Sequence, residues 1–426
     1  MSSPLSRALS MVTLVVAGEA VFFLPFLLPR IFRPTLLDVL QIDNLQLGFA
    51  FMVYGIVAML AYGPGGPLAD RFLPGRLMST ALLATAMGGV VCLLYPSPFW
   101  LSLIYGFWGL TTILLFWAPL IRATRSWGHQ ANSDGNSSGI GHPSGLAFGL
   151  LDGGRGLLAA VLASSSVYLF AALLPEDVAA ADLDEKRKAF GWVIVLFTMV
   201  TAFAAAMTFT VLPAPAEPRS KENPFRIAAL RKVAGRRAVW LQAVIVVCSY
   251  VSYKGLDDVS LYANEVLGFD EVRAAGLSGL MMWCRPPAAI VAGLAGDRFG
   301  IRRMTLICFA IIAIGFGVFA MGWIPAHPLL ILVAVLLTTS AAVFALRGLY
   351  FAIMDEGDLP VAFTGTAVGL VSAIGFTPDV FMGPVMGWLL ERSPGEAGHL
   401  HLFALLAVFA VIGWAATLLF PRAKKA

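Results

Sequence analysis

The chain is poor in the residues that build reactive centres. Its 426 residues include only four cysteines. Cys92, Cys248, Cys284 and Cys308 all lie in apolar stretches and none belongs to a Cys-x-x-Cys pair, so they read as buried, inert thiols. The five histidines, His129, His142, His327, His399 and His401, fall in predicted loops or at the edges of apolar stretches. No HExxH or similar ligand spacing joins them, so neither a metal nor another cofactor is expected. A Walker A sequence is absent, which removes ATP as a driver. There is no nucleophile elbow, and no His–Asp constellation is expected within a span, which argues against an enzyme. Basic residues are not interleaved with exposed aromatics, so nucleic acid is excluded as a partner. Charge itself is scarce, at 13% of residues against about 25% in soluble domains.

Apolar residues are abundant, at 59%. A soluble fold cannot hide that much apolar surface, so the solvent is a lipid bilayer. A span needs about 20 apolar residues. Twelve stretches qualify, near 9–29, 46–68, 77–95, 98–120, 145–173, 190–212, 239–262, 273–295, 303–324, 328–349, 361–390 and 400–420. The first has the look of a signal peptide, but Glu19 interrupts it and it is long for an h-region. It is read as a retained transmembrane helix. Pro25, Pro286, Pro287, Pro378 and Pro384 lie within spans and predict kinks.

Loop charges set the orientation. With both termini cytoplasmic, 18 Lys and Arg fall on the cytoplasmic side and 7 on the other. The opposite-side set includes Arg30, Arg33 and Lys186 to Lys188. Four more, Arg155, Lys254, Arg285 and Arg347, fall inside spans. The division is then 1–212, a first six-helix bundle; 213–238, a basic cytoplasmic loop; and 239–426, a second six-helix bundle. The stretch from Pro224 to Arg237 reads as a short amphipathic surface helix. The Gly-, Ser- and Asn-rich loop at about 121–144 reads as flexible. Loop 174–189, acidic and then basic, suggests no chemistry.

One short phrase occurs twice. Gly66-Pro67-Leu68-Ala69-Asp70-Arg71 precedes Arg76, and Gly293-Leu294-Ala295-Gly296-Asp297-Arg298-Phe299-Gly300 precedes Arg302 and Arg303. Each copy closes one span and is followed by another, so the two halves are related. The phrase reads as a tight turn. Gly66 and Gly293 allow close helix approach, and Gly300 supplies an unusual backbone angle. Asp70 and Asp297 accept hydrogen bonds from a helix N-terminus or pair with an arginine.

Here the chain resembles the major facilitator superfamily, which carries a G-x-x-x-D-R-x-G-R-R-like motif in its second-to-third and eighth-to-ninth loops. The second copy matches well; the first is one residue longer, with Leu73-Pro74 before Gly75. The resemblance implies an all-α membrane protein of twelve transmembrane helices in two pseudo-symmetric six-helix bundles. It also implies a cytoplasmic latch that involves Asp70, Arg71, Arg76, Asp297 and Arg298. An arginine at the end of span four joins it, either Arg122 or Arg125.

A charge at mid-bilayer costs at least about 2.5–3.5 kcal/mol and so marks a functional candidate. Glu19 is a candidate proton carrier, or a structural carboxyl. Asp152 and Arg155 lie three apart in span five, able to neutralise each other in part. Gly145, Gly149 and Gly153 form a ridge for close packing, as do Gly365, Gly369 and Ala373 in span eleven. Arg155 points away from its ridge, toward a cavity or a structural partner. Arg285, mid-span, needs an anion, whether substrate or one of Asp152, Glu19 and Asp379. Lys254, Asp257 and Asp258 predict local pairing, as an outer gate or a solvated helix end. Arg347 reads as snorkelling to the interface, near Asp355, Glu356 and Asp358. Asp379 follows Pro378 at a predicted break, a place for proton or ion coupling.

These residues point to a secondary transporter working by alternating access. Arg155 and Arg285 are the substrate-binding candidates. Glu19, Asp152 and Asp379 are the proton-coupling candidates, and Lys254 and Asp257 join the gating set. The favoured cargo is a small organic anion, a carboxylate or phosphorylated metabolite, in symport with a proton. The alternatives are proton-driven efflux of lipophilic or cationic compounds, and a neutral sugar or nucleoside carrier. Positive-inside charge and the retained first span suggest an inner or plasma membrane, and nothing in the sequence requires more than a monomer.

Overall fold

The structure, a computed structural model, describes residues 4–133, 143–212, 233–323, 328–356 and 364–421. Among these no strand occurs, and eleven helices are long and apolar enough to cross a membrane. A bent pair makes the twelfth span: Leu5–Ala20 and Phe23–Ile31, meeting at 42° and together called α1. The others are α2 (Asn44–Ala69), α3 (Pro74–Cys92), α4 (Pro98–Gly128), α5 (Phe148–Leu173) and α6 (Leu183–Val211). Then follow α7 (Arg237–Glu265), α8 (Glu271–Phe299), α9 (Ile301–Ala320), α10 (Leu329–Leu349), α11 (Ala367–Arg392) and α12 (Glu396–Leu418).

Local chemistry sets several boundaries. Asp43 and Gln46 form a reciprocal capping box at the start of α2, and Asp182 and Glu185 form another at α6. The second box starts α6 at Leu183, so part of the expected loop 174–189 is helix. Pro74 and Pro98 sit in the first turns of α3 and α4, where a missing N–H costs nothing. The fourth span runs on to Gly128, which puts Arg122 and Arg125 on a helix and not in a loop. The expected amphipathic segment lies mostly outside the described residues, and Asp358 and the tip of loop 121–144 lie wholly outside.

The chain forms two compact units. The first comprises Met1–Ser220 with Asp270–Trp283, the second Lys221–Phe269 with Cys284–Ala426. Within the first, α3 packs along α6, α2 along α4, and α1 against α5 and α6. The second repeats the same pairings six helices on: α9 with α12, α8 with α10, and α7 with α11 and α12. The repeated motif thus reports a repeated packing plan. Large apolar side chains such as Leu60 and Ile314 remain exposed, as lipid-facing surfaces require.

Prolines and short irregular turns break the helices beside the deep charges. Pro25 lies in a π-helical stretch, Phe23–Leu27, just after Glu19. A turn at Trp283–Cys284 precedes Arg285 and Pro286-Pro287 in α8. A 3-10 segment, Leu256–Asp258, follows Lys254 in α7. A turn at Phe376–Thr377 precedes Pro378 and Asp379 in α11. By contrast α2 continues through Pro64 and Pro67, and α11 through Pro384.

The small-residue ridges need correction. Among the described residues, a Cβ at Gly149, Gly153 or Gly369 would meet nothing within 4 Å, so neither ridge is a packing seam. Gly154 makes the close approach instead: a Cβ there would lie 2.8 Å from the methyls of Val15 on α1. Gly145 and Gly365 lie outside the described side chains. Gly66 and Gly293 also face open space. Gly300 behaves as expected, with φ at +92°.

Candidate functional site

In the first unit, Arg155 of α5 reaches Glu19 of α1. Its Nε donates to Glu19 Oε2 at 2.9 Å, with both side chains buried. The cation that Glu19 lacks in sequence is therefore supplied by packing. Asp152 stands 3.8 Å from Arg155 Nη1, and its side chain is 51% exposed. The guanidinium also lies 5.8 Å from the Phe22 ring centroid, a cation–π distance. Around it run Phe22, Phe26, Trp117, Phe51 and Tyr54 in edge-on and stacked contacts. Tyr54 Oη shares a hydrogen bond with Thr112 at 2.8 Å, inside a π-helical stretch of α4.

In the second unit, Lys254 of α7 reaches Asp379 of α11, Nζ to Oδ1 at 2.7 Å. Lys254 thus bonds across helices, a partner that spacing within 254–258 did not suggest. Tyr250 Oη donates to both carboxylate oxygens of Asp379 at 3.1 Å. One helical turn away, the Arg347 guanidinium sits 3.9 Å from the Tyr253 ring centroid. That stacking, and not snorkelling alone, fixes Arg347. Tyr250, Tyr253, Phe344, Phe351 and Phe376 form a continuous aromatic wall.

The two pairs occupy corresponding places with the charges exchanged. Helices α1 and α5 correspond to α7 and α11. In the first unit the acid is on α1 and the cation on α5; in the second the cation is on α7 and the acid on α11. Burying either charge alone would be costly; together, with hydrogen bonds, they are tolerated. Arg285 is buried at the break of α8. Of the acids considered for it, Glu19 and Asp379 hold Arg155 and Lys254.

At the motif ends, Arg122 Nη1 donates to the Ala69 carbonyl at 2.6 Å, tying α4 to the end of α2. The Asp70 side chain lies outside the described residues. Arg71, Arg76 and Arg125 are exposed, as are Asp297 and Arg298. Arg302, not Asp297, makes the second motif's bonds, donating to the Thr417 and Leu418 carbonyls at 3.0 and 2.6 Å. Asp257 is buried within the 3-10 segment of α7.

Several important residues escaped sequence reasoning. His399 lies at the edge of its span, in the first turn of α12, but it is fully buried there, between Asp258 at 2.7 Å and Glu265 at 3.2 Å. A His–Asp constellation therefore does occur within the spans, contrary to expectation. Lys186 bridges Asp38 at 2.9 Å and Glu271 at 2.7 Å, so the loop read as chemically empty carries an ion-pair cluster. Arg33 is buried and donates to Asn44 at 3.0 and 2.8 Å, and Arg30 is buried too, so neither is a loop charge. Acids spaced one or two helical turns apart near a span end, such as Asp258 and Glu265, are the only sequence signal that could have found the histidine site.

Comparison with known proteins agrees with the fold. The Major Facilitator Superfamily profile matches residues 9–376. The inner membrane protein YqcE of Escherichia coli (strain K12) is 22% identical over 420 residues, covering 94% of this chain and 91% of its own. The inner membrane protein YihN of the same organism is 22% identical over 408 residues, covering 94% and 92%. Among solved structures, a bacterial homologue of the human lysosomal transporter Spinster, inward-facing and occupied, superposes with a TM-score of 0.70 at 15% identity, covering both chains fully. The nucleoside transporter NupG superposes with a TM-score of 0.66 at 14% identity, covering 97% of this chain and 98% of its own.

Proposed function

Because the chain belongs to the major facilitator superfamily and is a membrane transporter, not an enzyme, we propose that it carries a small organic anion together with a proton. The observation that carries this reading is the buried Lys254–Asp379–Tyr250 cluster. A proton on Asp379 removes the counter-charge of Lys254, and the ammonium then takes another anion in its place. A carboxylate or phosphate of the substrate supplies that anion. Glu19 and Arg155 offer the same exchange in the first unit, where the planar guanidinium suits either group. Arg285 is the third buried cation assigned to substrate. Asp152, half-exposed, is the acid most open to protons from water. Loaded this way, the carrier moves less net charge through a low-dielectric path than the anion alone would carry.

The remaining assignments follow the same reading. Asp70, Arg71, Arg76, Asp297 and Arg298 form the cytoplasmic latch, with Arg122 as the span-four arginine, since it already holds the Ala69 carbonyl. Lys254 and Asp257 gate the opposite side. Both termini are cytoplasmic, the membrane is the inner membrane named for both curated relatives, and the working unit is a monomer. A second reading, a neutral nucleoside or sugar, is favoured by the aromatic wall of Tyr250, Tyr253 and Phe376.

The test is a thermal-shift screen against carboxylates, sugar phosphates, nucleosides, neutral sugars and lipophilic cations, repeated with Lys254→Met and Arg285→Ala. A specific ligand stabilises the folded state by mass action. Stabilisation by an anion, lost in either folded variant, supports the reading. Stabilisation by nucleosides, sugars or cations alone overturns it.

A further inference from the structure

We propose that His399, held between Asp258 and Glu265, is a proton-binding site that fastens the C-terminal half of α7 to α12. Nδ1 faces Asp258 Oδ2 at 2.7 Å and Nε2 faces Glu265 Oε2 at 3.2 Å. A neutral imidazole has one N–H donor and one lone pair. With both carboxylates ionised, it would point that lone pair at a carboxylate oxygen, which repels. The observed geometry needs one further proton, carried either on the imidazole or on one of the acids. The cluster as a whole is therefore a proton acceptor, whichever atom holds the proton.

The surroundings make the proton decisive. His399 and Asp258 are fully buried, so water cannot screen a broken contact. Glu265 is 35% exposed and gives the cluster a path to solvent. From α7 the groups at the site are Asp258, Glu265 and Tyr262, with Asp257 adjacent in sequence. From α12 they are His399 and Glu396, which acts electrostatically on Tyr262; His401 on the same helix is exposed. Among the described residues, α9 contributes Phe316 and Phe319 to the contacts around Tyr262 and Phe403. The Tyr262 ring stands edge-on to the imidazole at 5.5 Å. Asp258 Oδ1 and Tyr262 Oη are both buried without a hydrogen-bond partner. Asp258 ends the 3-10 segment that interrupts α7, so the clamp holds the portion of α7 beyond its irregular turn. Losing the proton puts two carboxylates against one neutral ring, and that portion separates from α12.

The site is independent of the substrate reading, and its test needs no substrate. Hydrogen–deuterium exchange of α7 residues 256–265 is measured in the full-length protein in lipid nanodiscs at about pH 6 and about pH 9, corrected for intrinsic rates. Protection in the wild type should fall about tenfold from the lower to the higher pH, as local opening becomes easier. His399→Gln should be as open at the lower pH as the wild type is at the higher. Glu265→Gln, at a half-exposed position and therefore the safer fold, should shift the transition. Protection that is equal at both pH values in the wild type overturns the proposal, whatever the variants do.

Discussion

Truncation of Glu19 should reveal how tightly Arg155 is held. The pair is buried, with side-chain exposures of 11% and 8% and a 2.9 Å hydrogen bond. At a charge separation of about 4 Å and an effective dielectric of about 20, the attraction is about 4 kcal/mol. Asp152, farther off and half-exposed, replaces little of it because solvent screens it. Glu19→Ala should therefore destabilise by about 3–5 kcal/mol, the cost of stranding a buried charge. Glu19→Gln keeps an acceptor for Nε and should cost about half as much. The double variant Glu19→Leu/Arg155→Met removes both charges and should lie within about 1 kcal/mol of wild type. The assay is reversible unfolding in mixed micelles followed by tryptophan fluorescence, arranged as a double-mutant cycle. Two single-variant costs that add within about 0.5 kcal/mol would refute the reasoning, because independent sites add and a buried pair does not.

Other predictions bear on packing, hydrogen bonding and pH. Gly154→Ala should destabilise by about 1–3 kcal/mol through contact with Val15, while Gly153→Ala should be near neutral, as measured by unfolding midpoints. Tyr250→Phe should weaken the protein by about 1.5–3 kcal/mol, the worth of hydrogen bonds to a carboxylate, and should loosen Lys254, as followed by its reactivity to amine reagents. Tyr95, between α3 and α4, donates to the Arg187 carbonyl. Burial pushes its phenol above the ordinary 10.0, more than the nearby Arg187 charge lowers it. Its raised value means stability that is fully present below the unfolded pKa and lost as pH rises through the folded one. An ultraviolet difference titration against Tyr95→Phe should show that late ionisation.

Much of the architecture was legible because lipid imposes a simple rule: twelve long apolar stretches must be twelve helices. The repeated motif then announced the repeated packing of α3 on α6 and α9 on α12. The deep charges were legible singly, because Glu19, Arg155, Lys254, Arg285 and Asp379 are expensive wherever they point. Their partners were not. Glu19 finds Arg155 and Lys254 finds Asp379 more than a hundred residues away, and helical spacing informs only on neighbours three or four apart. The same limit hid His399, whose two acids lie on another helix. It also misdirected the glycine ridge: spacing put Gly149 and Gly153 on a shared face, but only the facing helix decides which glycine is approached, and that is Gly154. Lys186 was missed because a basic loop residue is ordinarily solvated, whereas here a capping box extends α6 and brings it to Asp38 and Glu271.

The central claim, that a buried acid exchanges its cation with an anionic substrate when it takes a proton, is tested most directly in proteoliposomes. Protein is reconstituted in weak buffer with a pH-sensitive dye inside, and the anion panel is added outside. The account predicts that at least one organic anion acidifies the interior as it enters, and that Asp379→Asn abolishes proton movement. Uptake of an anion without protons, or proton movement driven only by cations or neutral compounds, would contradict it.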